Sequence, residues 1–177
     1  MNSLPRPVLI GGCPGAGKTT VSRLLSAALP HSACIETDQF FDYVQDLIHP
    51  AEPASQRQNE VVITAYCEAA RAFAEGGYAV FLEGVLGPWF LPLSLRVLGE
   101  VDYVLLHTTL ENAQKRVADR DLQEVSPEVV AKMHSQFERH KADFEHNFVM
   151  TTGRTTTDIV AEVLTDLGGD RFRRAGG

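Results

Sequence analysis

Gly12-Cys13-Pro14-Gly15-Ala16-Gly17-Lys18-Thr19 gathers three glycines, a lysine and a hydroxyl into eight residues. The segment fits G-x-x-x-x-G-K-[ST] at each fixed position, after an apolar run (Pro7 to Ile10) and before a helical pattern. Gly15 and Gly17 let backbone N–H groups turn inward as an anion nest. A helix beginning near Lys18 and continuing through Thr20 adds the positive end of its dipole. In such a loop Lys18 reaches the β- and γ-phosphates of a nucleoside triphosphate, and the Thr19 hydroxyl ligates Mg²⁺. Cys13 is a small side chain tolerated inside the loop, where the nest would favour its thiolate. The motif holds a triphosphate and leaves the reaction open, because GTPases, AAA-type ATPases and small kinases share it.

Other chemistry-bearing residues come after later apolar runs. Asp38 comes just after Ala33–Thr37, where a carboxylate can take a proton from an attacking hydroxyl and aim it at the γ-phosphate; its structural alternative is a helix cap. Glu36 faces the other way by strand alternation. Glu83 and Gly84 close Tyr78–Leu82. Glu83 has the place of a Walker-B carboxylate, acting on Mg²⁺ through water or on substrate, or else holding a neighbouring loop. Gly84 permits close approach of a ligand. Gly87 to Pro92 is apolar and aromatic and suits an acceptor pocket or a core segment equally. Arg116 and Arg120 lie four apart on one helical face beside a short break, as in a lid whose arginines grip a transferred phosphoryl group; surface pairing with Glu111, Asp119 or Asp121 is the alternative. Arg57 and Asn59 are acceptor-reading candidates by position, and Phe41 lies in the same stretch after Asp38. His134, His140 and His146 are six apart, roughly 240° on a helix, so they share no metal face and read as solvated.

The elements needed to position these residues are visible as apolar runs alternating with helical patterns. Strands are expected at Pro7–Ile10, Ala33–Thr37, Tyr78–Leu82, Val101–Leu106 and Asn147–Met150. Helices are expected from Thr19, over Ser55–Glu75 up to Gly76-Gly77, over Leu110–Asp119, from Ser126-Pro127, and from Thr155 to Gly168. Such alternation implies an α/β fold, a parallel sheet with helices on both faces, whose ligands sit beyond the carboxyl ends of the strands. Residues 1–167 read as one domain with a lid near 116–130, and 168–177, rich in Gly and Arg, as a flexible tail.

Composition narrows the partners. The 177 residues carry 16 Lys+Arg against 23 Asp+Glu, a net charge of −7. An acidic balance argues against a dedicated nucleic-acid binder. No apolar stretch reaches the ~18–20 residues of a membrane span, and no signal-peptide pattern opens the chain. Three cysteines at irregular spacing suggest neither a disulfide framework nor a zinc site, and a reducing cytoplasm is the simplest compartment. Oligomeric state is not legible.

Taken together, Gly11 to Thr20, Asp38, Arg116-x-x-x-Arg120 and Val125-x-Pro127-x-x-Val130-x-x-Met133 resemble the small P-loop kinases, a group that includes polynucleotide, gluconate and shikimate kinases and chloramphenicol phosphotransferase. The resemblance spans roughly Val8 to Leu167. It implies a three-layer P-loop NTPase fold with a five-stranded parallel sheet of order 2-3-1-4-5 and a short helical lid. It implies ATP and Mg²⁺, Asp38 as the acceptor-activating base, Arg120 as the principal lid arginine, and adenine held near Thr151-Thr152-Gly153-Arg154. Polynucleotide kinases carry Arg three residues after the base, where this chain has Phe41, which points to a small hydroxylated acceptor of low charge. A nucleoside monophosphate (cytidylate-like) kinase and a non-catalytic nucleotide sensor are the alternatives. A GTPase switch is disfavoured because Lys141-Ala142-Asp143 is mid-helix after His140, and a AAA-type motor because it would need a further lid domain.

Overall fold

In a computed structural model, residues 4–119 and 125–176 are described. The elements run β1 (Val8–Gly11), α1 (Lys18–Ala27), β2 (Ser32–Glu36), α2 (Gln56–Glu75), β3 (Ala79–Glu83), α3 (Leu91–Leu98), β4 (Glu100–His107), α4 (Leu110–Ala118), α5 (Pro127–Arg139), β5 (Phe148–Met150), α6 (Thr156–Asp166) and β6 (Arg173–Ala175). The parallel order β2-β3-β1-β4-β5 is as expected. β1 lies between β3 and β4, with Ile10 level with Glu83 on one side and Val104 on the other. Every residue of β1 and β3 is buried, the mark of strands covered on both faces, whereas the edge strand β2 is only half-buried. α1 and α6 pack together over one face, and α2 and α3 over the other. Among the described residues, no helix is long and apolar enough to cross a membrane.

Three helices start as their sequences predict. Thr109, Ser126 and Thr155 accept the N–H of Asn112, Val129 and Asp158. α1 differs: its cap is Gly17 in the left-handed region, with no capping side chain and no acidic residue in the first turn. α3 was not anticipated. Gly87 to Pro92 makes a 3-10 turn at Pro88–Phe90 that leads into the helix, with Pro92 tolerated in its first turn.

The expected flexible tail is a correction. Arg173–Ala175 pair antiparallel with Glu100–Asp102, so the sheet has six strands, and the sixth is not parallel. β5 covers the carboxyl-terminal half of β4 and β6 the amino-terminal half, on the same edge. Phe172 is fully buried, and its carbonyl accepts the Tyr103 N–H at 2.8 Å. The arginines of this segment are engaged: Arg171 with Glu162 (2.8 Å) and Asp166 (2.5 Å), Arg173 with Glu100, and Arg174 with Asn147.

Candidate active site

The glycine-rich loop joins β1 to α1 at the carboxyl end of the sheet. Gly15 (φ 81°) and Gly17 (φ 99°) occupy the left-handed region. At Gly15 a Cβ would also lie 2.4 Å from the Ala113 carbonyl oxygen, so glycine is required there for space as well as for φ. The uncapped start of α1 leaves its first N–H groups turned to the loop, where an anion would satisfy them. Lys18 Nζ donates to the Cys13 carbonyl at 3.2 Å, and its charge acts on Asp38 and Glu83. Cys13 is fully buried, and burial pushes its thiol up despite Lys18, so it is not the thiolate the nest would favour. Pro14 is half-buried, Ala16 is buried, and Thr20 is exposed on α1.

The ends of β2 and β3 meet beside this loop. Thr37 Oγ1 donates to the Glu83 carbonyl oxygen at 3.0 Å. Gly84 makes the junction possible: a Cβ there would lie 2.1 Å from Thr37 Oγ1 and 3.1 Å from Asp38 Oδ1. The close approach that Gly84 allows is therefore to Asp38 and its neighbour, not to a ligand. Burial pushes the Asp38 carboxyl up, while Lys18 and the Val85 N–H pull it back. Burial likewise pushes Glu83 up, against a hydrogen bond from Thr19 and the charge of Lys18. Thr19 and Glu83, proposed separately as the hydroxyl and the carboxylate of a metal site, thus touch, and the set offers the hard oxygen donors that Mg²⁺ takes.

Other candidates are placed differently. Arg116 belongs to the nucleotide loop itself: its Nη1 donates to the Gly15 carbonyl (3.2 Å) and to Thr151 Oγ1 (3.3 Å). Thr151 Oγ1 donates onward to the Ala16 carbonyl at 3.4 Å. Arg120 lies outside the described residues. Arg154 does not face the loop: its guanidinium donates to Glu162 (2.5 Å) and to the carbonyls of Met150 and Asp158, tying α6 to the end of β5. Arg57 is exposed, pairs with Glu60 at 3.4 Å, and lines a groove of about 590 Å³ between α2 and α3. Asn59 is buried and donates to Pro50 O and Ser55 Oγ, a local structural role. Phe41 is half-buried, ending the 3-10 turn that carries Asp38.

Thr37 and Thr108 carry no expectation from the sequence, whereas Thr151 and Thr152 are expected near the adenine. Thr37, Thr108, Thr151 and Thr152 stitch the strand ends around the loop; Thr152 Oγ1 accepts the Thr109 N–H at 3.1 Å and contacts Thr108 Oγ1. Each comes within two residues of a strand end, the one signal that could have found Thr37 and Thr108. His134 is not simply solvated: its Nε2 donates to the Thr108 carbonyl at 2.8 Å, and its ring stacks on His107, centroids 4.7 Å apart. Burial holds His107 below the ordinary histidine value, against the pull of Glu138.

The profile of a family described as an AAA domain matches residues 8–141. The chain belongs to the AAA domain family. Curated proteins offer no match to this AAA-domain chain. Solved structures show its fold to be that of small P-loop kinases. It is similar to an unliganded sugar kinase from Janibacter sp. HTCC2649, at 16% identity and TM-score 0.72, covering 90% of this chain and 92% of that one. It is similar to the Mycobacterium tuberculosis APS kinase in complex with AMPPNP and APS, at 15% identity and TM-score 0.71, covering 92% and 97%. A shikimate kinase from Acinetobacter baumannii in complex with shikimate gives 20% identity and TM-score 0.64, covering 93% of each chain. The AAA-domain chain thus aligns over nearly the full length of these small proteins.

Proposed function

We propose that residues 1–167 act as a kinase that passes the γ-phosphoryl group of ATP to a hydroxyl of a small-molecule acceptor, with segment 116–130 as its lid. The carrying observation is the convergence of Lys18, Thr19, Asp38 and Glu83 at adjoining strand ends. Asp38, pushed up by burial against the pull of Lys18, is assigned as the base that takes the hydroxyl proton. The loop N–H groups and Lys18 hold the phosphates. Thr19 and Glu83 hold Mg²⁺, which neutralises charge on the phosphate oxygens when bound. Arg116 braces the loop against Thr151, and Arg120 is assigned to the phosphoryl group by its place in the lid.

The acceptor is read as weakly charged. The only arginines between β2 and β3 are Arg57 and Arg71, with no lysine. Arg57 pairs with Glu60, and Arg71 with Glu68 and Glu75, all on exposed faces of α2. A monophosphate or nucleic-acid acceptor would ask for unpaired cations there. The site needs no membrane, and a reducing cytoplasm suits its cysteines.

The test is ADP release over a panel of sugars, nucleosides, nucleotides and aminoglycoside-like alcohols, with Asp38→Asn and Lys18→Ala beside the wild type. Asp38→Asn keeps ATP binding and loses about 10²–10⁴-fold in transfer; Lys18→Ala loses both. Unchanged turnover in Asp38→Asn refutes the base. A flat panel with tight ATP binding favours a nucleotide sensor.

A further inference from the structure

His107 ends β4, and His134 and Glu138 lie one turn apart on the face of α5 that meets it. One ring nitrogen of each histidine and one Glu138 oxygen all lie within 4.8 Å of one another. None of the three belongs to the proposed catalytic set. His107 Nε2 donates to Glu138 Oε1 at 2.5 Å, and the His107 side chain is only 3% exposed. Its other nitrogen, Nδ1, is buried with no hydrogen-bond partner among the described residues. It is Nε2, facing Glu138, that an ion shared with Glu138 would reach, and Nδ1 is the position left for the ring proton. The Thr108 carbonyl can only accept, so its bond to His134 Nε2 places the ring proton there and leaves the Nδ1 lone pair available. Metal-binding histidines are typically oriented by this kind of backbone contact. Lys141, 3.6 Å from Glu138 Oε1, is the one cation paired to the cluster among the described residues, and it is half-exposed and able to swing away.

We propose that His107, His134 and Glu138 form a divalent transition-metal site, of the zinc type, between the end of β4 and α5. Two imidazoles and one carboxylate are a three-ligand zinc set, with water as the fourth ligand on the side where Glu138 is exposed. Mg²⁺ is poorly served by two imidazoles, so this site is separate from that of Thr19 and Glu83. On loading, the metal takes the place of the proton shared by His107 and Glu138; the imidazole stays neutral by carrying its proton on Nδ1. The ion would fasten α5, whose first residues belong to the lid segment, to the strand next to β1.

The chain has one tryptophan, Trp89, whose ring packs against Phe137 of α5 and against His140 just after it, so its fluorescence reports on that helix. Reduced, nucleotide-free protein is titrated with Co²⁺, reading visible d–d absorption and Trp89 emission, and the bound Co²⁺ is then displaced with Zn²⁺. One equivalent is expected to bind. Glu138→Gln, at an exposed position that the fold tolerates, and His134→Gln each weaken it at least about tenfold; His49→Gln and His146→Gln leave it unchanged. Absence of binding in the wild type overturns the proposal. So does binding that survives Glu138→Gln and His134→Gln, or that shows a thiolate charge-transfer band, because the metal then sits elsewhere. Kinase turnover plays no part in the readout, so failure here leaves the assignment of Asp38 untouched.

Discussion

A single hydrogen atom at Gly84 separates a working junction from a blocked one. Alanine there would drive its Cβ into Thr37 Oγ1, displacing the bond from Thr37 to the Glu83 carbonyl and shifting the adjoining Asp38. Gly84→Ala is therefore expected to fold, as seen by circular dichroism, while losing on the order of 10²-fold in kcat, the scale at which a small misplacement of reacting groups acts. Wild-type turnover in that variant would show that the junction does not position Asp38. Lys18, Thr19, Asp38 and Glu83 stand out as candidates in the sequence because the first three follow strands and Glu83 closes one. Arg57 and Arg154 were misplaced for the opposite reason. Each was assigned by position, but its guanidinium is directed by an acid on its own or the next helix, Glu60 or Glu162, and nothing local announces which acid wins. The pair His107–Glu138 is separated by 31 residues and meets only in the fold.

Elements with an apolar run or a periodic stripe were legible, even strands as short as β1 and β5, whereas α3 and β6 were not. α2 and α6 were readable from their apolar stripes and from the glycines just beyond them. Three residues of β6 have no period to read, and α3 hid behind Gly87 and two prolines. The anchoring of α6 shows what the missing contacts do. Burial disfavours the charge on Glu162, but Arg154 and Arg171 outweigh it and hold the carboxyl below its ordinary 4.5. A depressed folded value means stabilisation that is present at neutral pH and is lost as pH falls through that value. Urea midpoints of the wild type should therefore drop more steeply below about pH 4.5 than those of Glu162→Gln. Parallel curves would remove Glu162 from the clamp.

Across the whole molecule, the end remote from the site is where the chain is tied together. Asp102, fully buried in β4, accepts from Arg6 Nε and from the Gly168 N–H, each at 2.9 Å, and β6 pairs beside it. Phe172 fills the core under this junction. Phe172→Ala is expected to cost about 3–5 kcal/mol in urea unfolding, as for other large aromatic deletions, whereas Arg173→Ala, breaking an exposed pair, should cost about 0–1 kcal/mol. Equal effects would mean that residues 168–176 contribute no core. The strand order β2-β3-β1-β4-β5 also sets a timetable for synthesis. β1 leaves the ribosome first, yet both strands that flank it are made later. The loop after it is shaped by residues later still: Gly12 packs on the Leu106 carbonyl, Gly15 on Ala113, and Arg116 reaches Gly15 from α4. A nascent chain that has exposed only the glycine-rich segment carries the motif without its form. The anion cradle comes into being late, when α4 has emerged and the middle of the sheet closes around the chain's oldest strand.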